Sequence, residues 1–204
     1  MTVLLRNSVF LHIPKTGGTW VRKALVDAGL SGALVRSRER DEAYNGTLRS
    51  WHNVPTWDAR YHERPNRFCF VRHPADWYRS YWAFRMWRKN WEIRENEFDH
   101  KCSSGEFPEF IDKVLQHYPD GYVTWLYAYF ANHCTFVGKT ENLPTDLLTA
   151  LDLFEGKYDP RDIVLLGPKK VTPIAYKLAA IYGDGQLDCI LETESDALER
   201  YDYA

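Results

Sequence analysis

Three short apolar runs punctuate the chain, and each hands over to a polar loop and then to a helical repeat. The first, Val9-Phe-Leu-His-Ile13, reads as a buried strand. After the loop that follows it, Val21, Ala24, Leu25 and Ala28 recur at i, i+3, i+4 and i+7, one face of a helix. The second run, Arg67-Phe-Cys-Phe-Val-Arg72, stops at His73-Pro74, where proline suits the first turn of a new helix. Residues 77–94 continue as that helix, dense in arginine and aromatic side chains. The third run, Cys134-Thr-Phe-Val-Gly138, precedes a helix from Thr145 to about Phe154. Between them, Phe107 to Ala131 reads as two helices broken at Pro119-Asp-Gly121. A short strand is predicted near Ala33–Arg36, followed by a long polar loop from Ser37 to Asn66 and, after Asp188, by an acidic surface helix or tail. Strands alternating with helices predict an α/β fold, three layers around a central, mostly parallel sheet. Right-handed crossovers would bring the loops that leave the strands to one edge, where such folds bind ligands.

Composition adds bounds rather than detail. A chain of 204 residues supports one domain, residues 1–204, with a substantial core. Apolar content of 45% and charged content of 26% are those of a globular protein. A net charge of −2 argues against nucleic acid and membrane surfaces as general partners. No run approaches the roughly 18 apolar residues of a membrane span. Cys69, Cys102, Cys134 and Cys189 are dispersed without metal-ligand spacing, and the first and third lie in apolar runs, so buried thiols and a cytoplasmic, reducing setting are expected. The pattern specifies no metal and no oligomeric state.

The loop after the first strand carries the chemistry. Pro14-Lys-Thr-Gly-Gly-Thr-Trp20 joins a lysine, paired glycines and hydroxyls to a helix start, the ingredients of a phosphate site. It is not a Walker loop, because Lys15 precedes Gly17 and Gly18, whereas G-x-x-x-x-G-K-[ST] puts lysine after the second glycine. Gly138-Lys-Thr140 ends in the right letters but has His133 where the first glycine is required. A second constellation follows the second strand. Arg72 stands at its end and Ser80 lies eight positions on, so that a guanidinium fork and a hydroxyl can reach one anion. A strand-end arginine paired to an acid, beside a solvated serine, accounts for the same letters.

Taken together, His12-Ile-Pro-Lys-Thr-Gly-Gly-Thr-Trp20 and Arg72-x-Pro74 with Ser80 resemble the two nucleotide signatures of PAPS-dependent sulfotransferases, which use 3′-phosphoadenosine 5′-phosphosulfate. Phe136-Val-Gly-Lys-Thr-Glu-Asn-Leu143 is similar to a third segment of that family. The Gly17-Gly18-Thr19 form is closer to the carbohydrate and heparan-type members. The resemblance implies a P-loop-like sulfotransferase fold in which Lys15, Thr16, Gly17, Gly18 and Thr19 hold the 5′-phosphosulfate. It further implies that Arg72 and Ser80 hold the 3′-phosphate, and that Trp20 stacks on adenine. Lys15 would offset charge on the leaving phosphate, with PAP as product and no metal required. The C-terminal Arg-Lys-Gly element of cytosolic members is absent, and Lys169 and Lys170 have two readings, a substitute for it and a solvated lysine pair.

Transfer to a hydroxyl needs a base, and His52 on the long loop is the candidate, in a position similar to the catalytic histidine of heparan-type members; His62 and Glu63 are the runners-up. The acceptor is expected to be a hydroxyl of a glycan or small molecule. Tyr81 to Trp91 has two readings, an aromatic surface for sugars or bases and a core-facing stripe with arginines turned outward. The competing functions are a P-loop-related kinase or NTPase, which would need ATP and Mg²⁺, and a non-catalytic nucleotide- or single-strand-binding module.

Overall fold

The apolar runs form five strands in a computed structural model that describes residues 2–30, 32–35, 54–89, 96–167 and 172–204. They are β1 (Thr2–Leu4), β2 (Ser8–Phe10), β3 (Ala33–Val35), β4 (Asn66–Val71) and β5 (Phe136–Lys139). The helices are α1 (Gly18–Asp27), α2 (Ala59–His62), α3 (Pro74–Arg88), α4 (Glu97–Cys102), α5 (Phe107–His117), α6 (Tyr122–Ala131), α7 (Leu143–Phe154), α8 (Arg161–Val164), α9 (Ile174–Leu178), α10 (Gln186–Thr193) and α11 (Ser195–Arg200). The described residues group into two compact units, one up to residue 72 and from 129 to 167, the other from 73 to 128 and from 172 onward.

The first unit contains the sheet, in the order β3-β1-β2-β4-β5. β2, β4 and β5 run parallel, with Phe10 opposite Phe68 and Phe70 opposite Gly138. β1 pairs antiparallel with both β2 and β3. The sheet is therefore parallel where the motif-bearing loops leave it and antiparallel beyond. β1 is the strand the apolar pattern did not separate: a tight turn closed by Leu5 N–H to the Ser8 carbonyl (2.9 Å) folds it back on β2. The buried carboxylate of Glu155, just past α7, accepts from Asn7 N–H (3.2 Å) and Ser8 Oγ (2.5 Å) and so pins this turn.

On one face, Val3, Phe10, Phe68 and Phe70 pack with Trp20, Val21, Ala24 and Leu25 of α1 and Leu147, Ala150 and Leu151 of α7. On the other, Leu4, Val9, Leu11, Cys69 and Val71 are also buried, so both faces of the sheet are covered. Each of the buried valine, leucine and phenylalanine side chains contributes about 1.5–3 kcal/mol. That outweighs any local helix signal in α1, which starts on glycine with neither a capping side chain nor an acid in its first turn. Burial pushes the Cys69 thiol well above the usual range, and all four cysteines are unbridged: Cys69 and Cys102 buried, Cys134 half-buried and Cys189 exposed.

The second unit is helical and aromatic. α3 buries Trp77, Tyr78, Tyr81 and Trp82, with Trp77 stacked on Tyr81 at 4.9 Å between centroids. Phe98 of α4 stacks in turn on Tyr122 of α6 at 4.0 Å. Through its described part, the stretch from Tyr81 is thus core-facing. One arginine departs from the expected outward stripe: Arg88 is exposed, whereas Arg85 is buried in an ion pair with Asp99, which also accepts from Tyr81 Oη (2.7 Å).

The chain after Asp188 departs from the expected surface tail. Ile190, Ala197 and Leu198 are buried, and Glu194 is 0% exposed. Its carboxylate accepts from Val123 N–H (3.0 Å), Thr124 N–H (2.7 Å), Thr124 Oγ1 (2.8 Å) and Tyr78 Oη. Two of those donors belong to the first turn of α6, which the positive end of the helix dipole favours as a carboxylate site. Burial, and then the neighbouring Glu194, push the Tyr78 hydroxyl well above its ordinary pKa. Gly121, where the break between α5 and α6 was predicted, has φ 82°. A Cβ there would stand 2.8 Å from the Thr193 carbonyl oxygen. No described helix is long and apolar enough to cross a membrane.

Candidate functional site

The loop Leu11–Gly17 leaves β2 at the carboxyl edge of the parallel strands, with Leu11 N–H still bonded to the Phe68 carbonyl (2.9 Å). Two of its residues take left-handed backbone angles, Lys15 at φ 67° and Gly17 at φ 79°. For lysine that conformation is costly, and such strain persists where the surrounding structure imposes it, often at functional sites. The turns bring the chain to α1, whose first intrahelical bonds run from Trp20 and Val21 N–H to the Gly17 carbonyl (2.8 and 3.2 Å). The amides before them have no acceptor within the helix, and no acid or cap answers them. An uncapped helix start of this kind can receive an anion.

Each glycine has its own reason. Gly17 supplies the positive φ, and a Cβ on it would lie 2.3 Å from Leu143 Cδ1 at the start of α7. Gly18 is helical, yet a Cβ there would fall 1.9 Å from His12 Cδ2 and 2.1 Å from Nε2. Gly18→Ala is therefore expected to destabilise the protein by about 1–3 kcal/mol in urea unfolding. A His12→Ala, Gly18→Ala double variant should recover part of that loss, since the two positions are coupled.

The side chains around the loop sort into ligand candidates and scaffold. Thr19 is half-buried. Thr16 is 1% exposed, and its hydroxyl donates to the Ile13 carbonyl (2.9 Å), so it closes the loop rather than offering its proton to a ligand. Trp20 belongs to the core of the first unit, 8% exposed, with Nε1 donating to the Leu166 carbonyl (3.3 Å).

Arg72 follows directly on β4, the neighbour of β2, and so leaves the sheet at the same edge as the Lys15 loop. Next along that edge, Thr140 Oγ1 donates to the Val71 carbonyl (2.8 Å), and Lys139 N–H donates to Asp146 Oδ2 (2.6 Å). Gly138-Lys-Thr140 thus ties β5 to β4 and α7 instead of opening a helix around phosphate. Ser80 lies two turns into α3 of the other unit, half-buried.

His52, Lys169 and Lys170 lie outside the described residues. The runners-up for the base are placed away from the loop. α2 directly precedes β4, and Arg64 just beyond it donates to the Leu5 carbonyl (2.7 Å) at the β1–β2 turn. His62 and Glu63 therefore sit where β2 and β4 begin, separated from Lys15 by the length of a six-residue strand, about 20 Å. His62 Nε2 also lies 2.7 Å from the Thr56 carbonyl oxygen, which only accepts, so that nitrogen carries its proton there.

A strand, a glycine-bearing loop, an uncapped helix start and a strand-end arginine thus lie at one edge of the sheet of an α/β protein. Residues 6–158 match the model of the sulfotransferase family. The chain belongs to that family, whose members transfer a sulfuryl group to an acceptor. Neither the curated proteins nor the solved structures contain a significant match.

Proposed function

We propose that residues 1–204 act as one PAPS-dependent sulfotransferase domain, moving the sulfuryl group of 3′-phosphoadenosine 5′-phosphosulfate to a hydroxyl of a carbohydrate or small molecule. The observation that carries this reading is the open start of α1 behind the left-handed turn at Lys15, at the same edge as Arg72. The donor set fits the substrate: backbone amides, a lysine, a hydroxyl and a guanidinium, with no acid in the first turn of the helix to repel a phosphate.

In this reading the amides of Gly17, Gly18 and Thr19, with the Thr19 hydroxyl, hold the 5′-phosphosulfate. Arg72 takes the 3′-phosphate by a bidentate fork, assisted by Ser80 as the motif implies. Lys15 stands by the bridging oxygen and offsets the charge that grows there as the sulfur–oxygen bond breaks. His52 removes the proton of the acceptor hydroxyl as its oxygen bonds to sulfur. Catalysis is mostly positioning and charge stabilisation, as in phosphoryl transfer.

Thermal shift with PAP, and separately with ATP and Mg²⁺, tests the donor. At a hundred times its Kd, PAP should stabilise by about 2.7 kcal/mol, a rise of roughly 5–10 °C for a chain of this size. A shift with ATP and Mg²⁺ alone would favour a kinase or NTPase. Radiolabelled PAPS offered to a panel of glycans, phenols and alcohols then identifies the acceptor. His52→Ala is expected to bind PAP normally while losing about 10²–10⁴ in transfer rate. Full turnover in that variant would place the base elsewhere.

A further inference from the structure

Gly138-Lys-Thr-Glu-Asn-Leu143 has the closing letters of a nucleotide loop, yet the donor reading leaves it without a role. Within the first unit it makes a chain of specific contacts. Gly138 lets α7 close on β5, since a Cβ there would stand 2.7 Å from Phe70 Cε1 and 2.9 Å from Asp146 Cβ. Asp146 in turn holds Lys139 N–H. Thr140 Oγ1 donates to the Val71 carbonyl, which belongs to the peptide bond joining Val71 to Arg72. The plane of that peptide, and with it the course on which Arg72 leaves the sheet, is fixed by Thr140. One turn of 3₁₀ helix, Thr140–Asn142, then leads to Leu143 at the start of α7. Leu143 packs against the core, and its isobutyl group covers the side of Gly17 from which a Cβ would project.

The segment therefore touches both candidate anion elements. At one end a hydroxyl holds the strand end that leads into Arg72. At the other an isobutyl group holds the left-handed turn behind Lys15. A single 3₁₀ turn, about 6 Å along its axis, separates the two contacts. Leu147, Ala150 and Leu151 anchor α7 in the core with α1 and the sheet, so the brace has a fixed base. Core packing asks only for those three side chains. It does not ask for a hydroxyl on the Val71 carbonyl, just past the last β4–β5 pair, Val71 with Lys139.

We propose that Thr140 and Leu143 are positioning residues that set the separation of the two phosphate subsites. They thereby give the protein its preference for a 3′,5′-bisphosphorylated adenosine over either monophosphate. This rests on the reading of the Lys15 loop and Arg72 as the donor site. Two linked groups gain from binding together only where their subsites are held at the matching distance. Thr140 and Leu143 act on that distance through Val71 and Gly17, without touching the nucleotide.

Titration calorimetry of wild type, Thr140→Val and Leu143→Ala with PAP, 5′-AMP and adenosine 3′-phosphate tests this. Each variant should bind PAP roughly tenfold or more weakly, as the matched spacing is lost. Each monophosphate should stay within about threefold of wild type, because each subsite keeps its own ligating groups. Thr140→Ser, which keeps the hydroxyl, and Leu143→Met, which keeps most of the volume, should restore PAP binding. The Thr140 variants carry the comparison alone if Leu143→Ala does not fold. Unchanged PAP affinity in Thr140→Val overturns the proposal. Equal weakening of all three ligands also overturns it, since that marks general damage to packing. Wild type that binds PAP no more tightly than the monophosphates, or binds none of the three, overturns the donor reading itself and the brace with it.

Discussion

Lys15→Met is expected to cut sulfuryl transfer by at least about 10²–10³-fold, the usual consequence of removing one preorganised donor from a developing charge. Methionine preserves the length and much of the packing of the lysine stem. It also leaves the backbone problem unchanged, since both residues carry a Cβ in the left-handed region at φ 67°. The comparison therefore isolates the ammonium group. Steady-state transfer from radiolabelled PAPS measures the loss, and unchanged thermal unfolding of the variant shows that the loop is intact. The effect should fall mainly on kcat, because charge on the bridging oxygen is greatest in the transition state. A variant with wild-type turnover would remove Lys15 from the chemistry and leave the loop a binding element only.

The largest stability effect is expected at Glu194. Four donors converge on this fully buried carboxylate: two backbone amides at the start of α6, the Thr124 hydroxyl and the Tyr78 hydroxyl. Glu194→Ala leaves all four without their acceptor, and each buried orphan costs about 1–3 kcal/mol before any relaxation. A net loss of at least ~3 kcal/mol, or roughly 6–12 °C in melting temperature, follows for a protein of this size. Glu192→Ala, two residues away and exposed, is the control and should stay within about 0.5 kcal/mol of wild type. Equal, small effects in the two variants would show that water replaces the carboxylate at the α6 start.

These two residues also mark what the sequence could and could not disclose. The strand-to-helix loop at Lys15 was legible because its residues are unusual: few plain turns place a lysine ahead of paired glycines and flank them with hydroxyls. The parallel strands were legible for a different reason. Phe68-Cys-Phe-Val71 is apolar at every position because both faces of the sheet are covered, and such runs stand out in a polar surround. Glu194, by contrast, sits among Asp188, Glu192, Asp196 and Glu199 and carries no local mark. Its burial depends on an encounter with a helix start some 70 residues earlier in the chain. Arg85 was hidden in the same way, because its partner Asp99 lies on a different helix. Trp20 stands one helical turn before Ala24 and packs in the same core, a placement the helical spacing carries without any long-range partner.

The start of α6 has a wider consequence. The starts of α1 and α6 both present amides that lack intrahelical acceptors, and they differ in what meets them: Glu194 closes the start of α6 from within, while α1 has no capping side chain and no acid in its first turn. On the proposed reading, the start of α1 must stay clear of the chain's own acids. An aspartate placed at Thr19 would act as a tethered inhibitor, competing with the donor at an effective concentration no soluble ligand could match. The selection that maintains this loop would then act as strongly on the carboxylates it excludes as on the lysine it retains.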